Sequence, residues 1–225
     1  MKYNFISILL LLIFSCGKEK VILLPEITHS ETTDIKDVSA AYLFYDETQK
    51  DSVELNRKNL ISTTNWLVNV DKRLTLKQAI PHIKFLQEKK RNSSHINENA
   101  KNYFTCSDIS RQNLGFIEFT DVYYNKKHIV NVLADNYSSL SNKLIINIES
   151  LNDIKINSHF NEINITHSNS QELNQDIKSL SNNKKNTVML FFGKNLLFQD
   201  YITIKSIISK LNLENITISN NEFIY

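Results

Sequence analysis

An α/β body, with a mixed β-sheet and helices packed on it, is predicted by three features of this 225-residue sequence. After Leu144, short runs with apolar residues at alternate positions are separated by Asn, Asp and Ser, the pattern of strands joined by turns. Between the later runs lie two segments whose apolar residues recur at helical spacing. A fainter copy of the last strand–helix unit stands upstream, so two similar strand–helix–strand halves are expected.

The chain opens MKYNFISILLLLIFSCGKEK. From Phe5 to Phe14 every residue except Ser7 is apolar, after one positive charge at Lys2. A run of that length is too short to span a hydrocarbon layer and suits the core of a secretory signal. The run ends Ile13-Phe14-Ser15-Cys16, with an aliphatic residue three before the cysteine and a small one just before it, which resembles the lipobox of bacterial lipoproteins. Residues 1–15 are then a signal peptide and Cys16 the lipidated N-terminus, fatty chains holding the body to a membrane. The alternative is an ordinary signal or a short uncleaved anchor, with Cys16 an incidental thiol. Residues 16–38, short apolar around Pro25 and then rich in Ser, Thr and acids, read as a tether.

An N-terminal α/β region is expected over 39–136. Asn65 to Val70 (NWLVNV) reads as a strand, Gln78 to about Lys90 as a helix, and NLGFIEF as the returning strand. Placing VDKRLTLKQAIPHIKFL over FGKNLLFQDYITIKSII aligns Lys72 with Lys194, Leu74 with Leu196 and Ile80 with Ile202. Pro81 then matches Thr203, early in a helix, where a missing N–H is tolerated. IEFTDVYY and HIVNVLA read as antiparallel strands joined at Asn125-Lys126-Lys127.

The C-terminal domain is expected over 137–225. LIINIE, DIKIN and NEINITH read as strands. Ser168 and Gln171 have capping-box spacing before a helix with Leu173, Ile177 and Leu180 on one face. NTVMLFF suits a strand covered on both sides. Asp200 is placed to cap a second helix with a stripe of Ile204, Ile207, Ile208 and Leu211, and NITIS closes the unit.

Composition excludes several functions. The 26 Lys and Arg against 24 Asp and Glu give a net charge of +2, with no footprint for nucleic acid, and Lys89, Lys90 and Arg91 read as a solvated helix end. Only 3 Gly occur, so phosphate-cradling loops, dinucleotide fingerprints and nucleophile elbows are missing, and Asn is expected at the turns glycine usually takes. With Cys16 lipidated, Cys106 has no partner for a disulfide and no neighbouring His to activate it. The 6 His show neither i, i+4 pairing nor ligand spacing to a Cys, so no metal or cofactor is expected. Glu118 and Asp121 fall on opposite faces of a strand, which disfavours joint acid–base work.

Aromatic residues cluster at Tyr42, Phe44 and Tyr45, at Tyr123 and Tyr124, and at Phe223 and Tyr225. Strand alternation buries one member of each set and leaves another at an edge. Exposed tyrosine beside an open edge suits strand addition by an extended peptide, so Tyr123, Tyr124, Phe223 and Tyr225 are the candidate partner-binding residues.

The stretch from Leu144 to Ser219, ending LLFQDYITIKSIISKLNLENITIS, resembles the periplasmic domain of the ExbD/TolR family of biopolymer-transport proteins. The resemblance covers about a third of the chain and implies two early strands, then helix, strand, helix and strand. It also implies a place in a transport or energy-coupling assembly. The family's membrane aspartate has no counterpart in the apolar leader, and Phe192-Gly193 replace the acidic residue that usually follows the central strand. The expected function is a non-enzymatic lipoprotein of the bacterial cell envelope, anchored to the inner or outer membrane, that binds an envelope protein. The alternative is a lipid-anchored binder of a small molecule or glycan, which needs a concave pocket with convergent polar groups between the two halves.

Overall fold

The structure is a computed structural model that describes residues 20–126, 142–158, 165–181, 185–211 and 214–225. Its first sheet is built from β1 (Glu26–Ile27), β2 (Val38–Tyr45), β3 (Val53–Asn56), β4 (Asn65–Val70), β5 (Asn102–Asp108) and β6 (Asn113–Glu118), with helix α1 (Leu76–Arg91) between β4 and β5. The second contains β7 (Tyr123–Asn125), β8 (Lys143–Ser150), β9 (Asp153–Asn157), β10 (Ile165–Ser168), β11 (Asn186–Phe192) and β12 (Ile216–Ile224). Helices α2 (Leu173–Ser181) and α3 (Phe198–Ser209) flank β11 in the chain. The fold is α+β. No helix of the described residues is long and apolar enough to cross a membrane.

The two sheets share a four-stranded plan. One runs β5-β4-β2-β3 and the other β12-β11-β8-β9. In both, the outer two strands are an antiparallel hairpin and the other pairings are parallel. The halves differ in what is added: β1 and β6 beside β5, β7 beside β12, and β10 beside β9.

The loops that precede α1 and α3 meet, and they exchange backbone bonds reciprocally. Leu76 N donates to Leu196 O at 2.9 Å, while Phe198 N donates to Leu74 O at 2.7 Å. Lys77 N donates to Lys194 O at 2.8 Å, and Gln199 N to Lys72 O at 3.3 Å. Thr75 and Leu197 form an antiparallel bridge at the centre. Each bond maps onto the other under the alignment of residues 70–86 with 192–208. These N–H groups open their helices and have no partner within them, so each half caps the other's helix.

This explains two boundaries that differ from expectation. Asp200 does not cap α3 but is its third residue, because Leu197 takes the cap position. Helix α1 likewise begins at Leu76, so Pro81 lies deeper in it than expected. Thr75 N also donates to the Gln78 side chain at 2.8 Å, completing a capping box.

A single core runs through both halves. Leu74, Leu196, Ile80, Ile202, Val70 and Phe192 all contribute to it. Tyr201 of α3 lies 5.0 Å from the Phe192 ring in the second sheet and 6.2 Å from Phe104 in the first. On the other face of the second sheet Ile145, Met189, Phe191 and Phe223 form a separate buried cluster, so β11 is covered on both sides as expected.

Several local expectations are corrected. The strand that returns after α1 is β5, parallel to β4, and NLGFIE is β6, antiparallel to β5. IEFTDVYY is broken at 119–122, with its two ends in different sheets. HIVNVLA and the start of NEINITH lie outside the described residues. Helix α2 is capped one residue later than expected: the Asn169 side chain accepts from Gln171 N and Glu172 N and donates to the Glu172 carboxylate. Among the described residues left-handed backbone falls at His29, Asp37, Asp51, Ser52, Gln112 and Asn142, and one of these six is Asn. Lys90 is buried, not solvated. Its Nζ donates to Ala100 O, Lys101 O and Asn102 Oδ1, and burial pushes its pKa down to about 8.

Structured chain begins well before residue 39. Ser107 N donates to Pro25 O and Ile109 N to Ile27 O, while Asp108 accepts from His29 N and Ser30 N. Asp108 also accepts from the Ser110 hydroxyl at 2.6 Å, and this bond, with those from Ser30 and His29, holds its carboxyl far below its usual value. Gly115 allows this approach, since a Cβ there would lie 2.6 Å from Ser30 Cβ. Gly115→Ala is therefore expected to destabilise the protein by about 1–3 kcal/mol in urea denaturation, the usual range for overpacking. An unchanged midpoint contradicts this packing.

Candidate functional site

Strand β12 contains the feature that shapes its edge. Val188 pairs with Ile218, but Leu190 pairs with Glu222, so Ser219, Asn220 and Asn221 oppose Met189 alone. This bulge breaks the ladder where the neighbouring β7 begins, because β7 pairs only with Asn221–Phe223. On the side away from β11, no described strand pairs with Ile216–Asn220.

The bulge is followed by Glu222, a carboxylate turned into the core. It is fully buried and ion-paired with Lys205 of α3, whose side chain keeps 14% exposure. Tyr201 donates its hydroxyl to Glu222 Oε2 at 2.7 Å, and the Tyr124 and Tyr201 hydroxyls lie 3.2 Å apart. Burial, and then the Glu222 charge, push both phenols well above their ordinary pKa, so they stay protonated. Of this network only Tyr124 is singled out by the sequence. Glu222 lies in a polar NNE stretch that gives no sign of burial, and Tyr201 and Lys205 resemble ordinary members of an amphipathic helix.

The four candidate partner-binding residues are neighbours across β7 and β12 but face different ways. Tyr123 is 47% exposed, with the Arg91 guanidinium 4.6 Å from its ring centre. Tyr124 points into the core. Phe223 is buried and stacked on Phe191 at 4.5 Å. Tyr225 is partly buried and donates its hydroxyl toward Asn147 and Glu149. Of the four, only Tyr123 is an exposed side chain. In the first aromatic set, Tyr42 and Phe44 are half-buried because Ala41 and Leu43 take the inward positions of β2, and Tyr45, at the end of the inward face, packs partly buried against the core.

Beside the unpaired stretch of β12 lies a cleft of about 450 Å³ between the halves. Ile218, Ser219 and Asn220 form one wall and Lys205, Ser206 and Ser209 of α3 another. His29, Glu31, Thr32 and residues 116–122 come from the first half. The cleft is mixed in character and contains no nucleophile with an adjacent base.

Other candidates are dispersed. Cys106 is buried, and burial pushes its thiol up, which disfavours the thiolate a nucleophile needs. Glu118 pairs with Lys101 at 3.2 Å, while Asp121 is exposed in the turn that follows. Among the described residues no group of His, Cys, Asp and Glu is placed to hold a metal. Cys16, His128 and His159 lie outside the described residues.

The Glu222–Lys205 pair should show asymmetric energetics. Lys205→Met leaves the carboxylate buried without its cation and is expected to cost about 3–5 kcal/mol in chemical denaturation. Glu222→Leu costs less, since Lys205 can turn into the cleft. Joining both changes recovers most of the loss; equal costs for the two single variants contradict this assignment.

Comparison of the chain with protein-family models, with curated proteins and with solved structures returned no match.

Proposed function

We propose that the chain is a non-enzymatic, lipid-anchored protein of the bacterial cell envelope whose body binds another envelope protein. The observation that carries this reading is the edge of β12 over Ile216–Asn220, which no described strand pairs and which ends at a bulge and borders a cleft. Unpaired strand edges are templates for an added strand, and the partner's main chain supplies the affinity in that mode. Tyr123 stands beside this edge as an amphipathic contact. The likeness of residues 144–219 to ExbD/TolR periplasmic domains favours a transport or energy-coupling assembly as the setting. The lipobox at Cys16 supports the anchor. The cleft between the halves, with His29, Glu31 and Ser206 in its walls, favours a second reading in which a small molecule or glycan is bound.

A photo-crosslinker placed at Thr217 in the full chain, activated in intact envelopes, tests the edge. The reading expects a cross-linked envelope protein whose yield falls at least about tenfold with Ser219→Lys, which charges the edge. Recovery of a small metabolite or glycan alone contradicts protein binding and supports the second reading. The anchor is tested separately by metabolic labelling with a fatty-acid analogue: wild type should carry label and Cys16→Ser should not. Equal labelling overturns the anchor and leaves the edge untouched.

A further inference from the structure

The duplicated plan creates one groove twice, and described residues fill only one copy. Along α3, the groove between the helix's first turns and the end of β5 holds β1. There the Gln199 side chain accepts from Glu26 N at 2.8 Å and donates to Glu26 O at 3.0 Å. Lys72 Nζ holds the Glu26 carboxylate at 2.6 Å, and Ser107 N donates to Pro25 O at 2.8 Å. The reciprocal loop bonds equate Gln199 with Lys77 and Lys72 with Lys194, and the strand registers equate Ser107 with Tyr225, whose N–H donates to Phe192 O at 3.2 Å, so the likeness of the two grooves rests on the lysine and the apolar floor.

At the matching place along α1 a cleft of about 460 Å³ remains, floored by Leu76, Ile80 and Ile224 and lined by Lys77, Lys84, Lys126 and Lys194. Lys84 donates to Tyr124 O. Lys77, Lys126 and Lys194 are exposed and have no carboxylate within ion-pair distance among the described residues. Helix α1 carries no acid in its first turn, whereas α3 carries Asp200. No carboxylate of the first turn of α1 therefore offsets the four amines. The filled groove shows what the geometry accepts, an extended segment with a carboxylate. The second groove, unfilled by described residues, repeats the key lysine and adds three more, with Lys77 in place of the Gln199 amide.

We infer that this cleft docks an acidic, extended segment of a partner protein, with a carboxylate on Lys194 as Glu26 is on Lys72 and apolar neighbours on Leu76, Ile80 and Ile224. The site is distinct from the β12 edge and does not depend on the lipid anchor.

The test uses the full chain in discs of zwitterionic phosphatidylcholine and a fluorescent peptide with the sequence of Ile22–Thr28, read by anisotropy. Binding is expected, weakening with salt and falling at least about tenfold with Lys77→Glu/Lys194→Glu, since inverted charges repel the carboxylate. The same charge change at distant exposed positions, Lys58→Glu/Lys89→Glu, leaves binding unchanged, and thermal melts show both variants folded. A peptide with Gln in place of Glu26 binds at least about tenfold more weakly. No binding, equal binding of the Gln peptide, or an equal loss in the distant variant overturns the proposal. Displacement of the peptide when phosphatidylglycerol is added to the discs overturns it in favour of a lipid surface.

Discussion

The opening turns of α1 and α3 are held by bonds that neither half makes alone. Their first free N–H groups are taken by carbonyls of the partner loop, Leu196 and Lys194 for one helix, Leu74 and Lys72 for the other. Helix ends without partners are costly when buried, and Leu74, Leu76, Leu196 and Phe198 are all buried here. The two loops thus fix how the sheets approach each other and bring Tyr201 between Phe192 and Phe104. The continuous core follows from that approach.

Symmetry of the frame makes its departures informative. Strand β1 occupies the groove beside α3, and β6 extends the first sheet where the second has only the short β7. The second half is left with the less covered edge and the lysine-lined cleft. Positions the two halves share belong to the common core, so the departures mark what each half adds to it. The buried Glu222 marks such a divergence: by register it stands where β5 has Phe104, a core aromatic. Its ion pair with Lys205 ties the bulged strand to α3.

Much of the frame was legible from periodicity. The β8, β9 and β11 runs, the α2 stripe, most of the α3 stripe and the matched strand–helix units followed from alternation and helical spacing, and the alignment of Leu74 with Leu196 matched the two loops that meet, although both helices start earlier than expected. Boundaries were misread where long-range bonds decide them: Asp200 has a capping side chain, but Leu74 O already meets the N–H of Phe198. Strand β5 is hard to read from periodicity although Phe104 and Cys106 alternate inward in NYFTCSD, since polar neighbours mask the pattern. The four candidate partner-binding residues meet across β7 and β12, but their orientations are not legible in the sequence. A two-residue bulge and the pairing of Tyr124 with Glu222 are tertiary facts without a local signature.

Native-state hydrogen exchange at the amides of Leu76, Lys77, Phe198 and Gln199 tests the reciprocal capping most directly. If the two loops hold the halves as one unit, all four exchange only through global unfolding, with the same free energy as core amides such as Val68 and Leu190. Exchange at the rate of frayed helix ends, or separate opening energies for the two pairs, would contradict it.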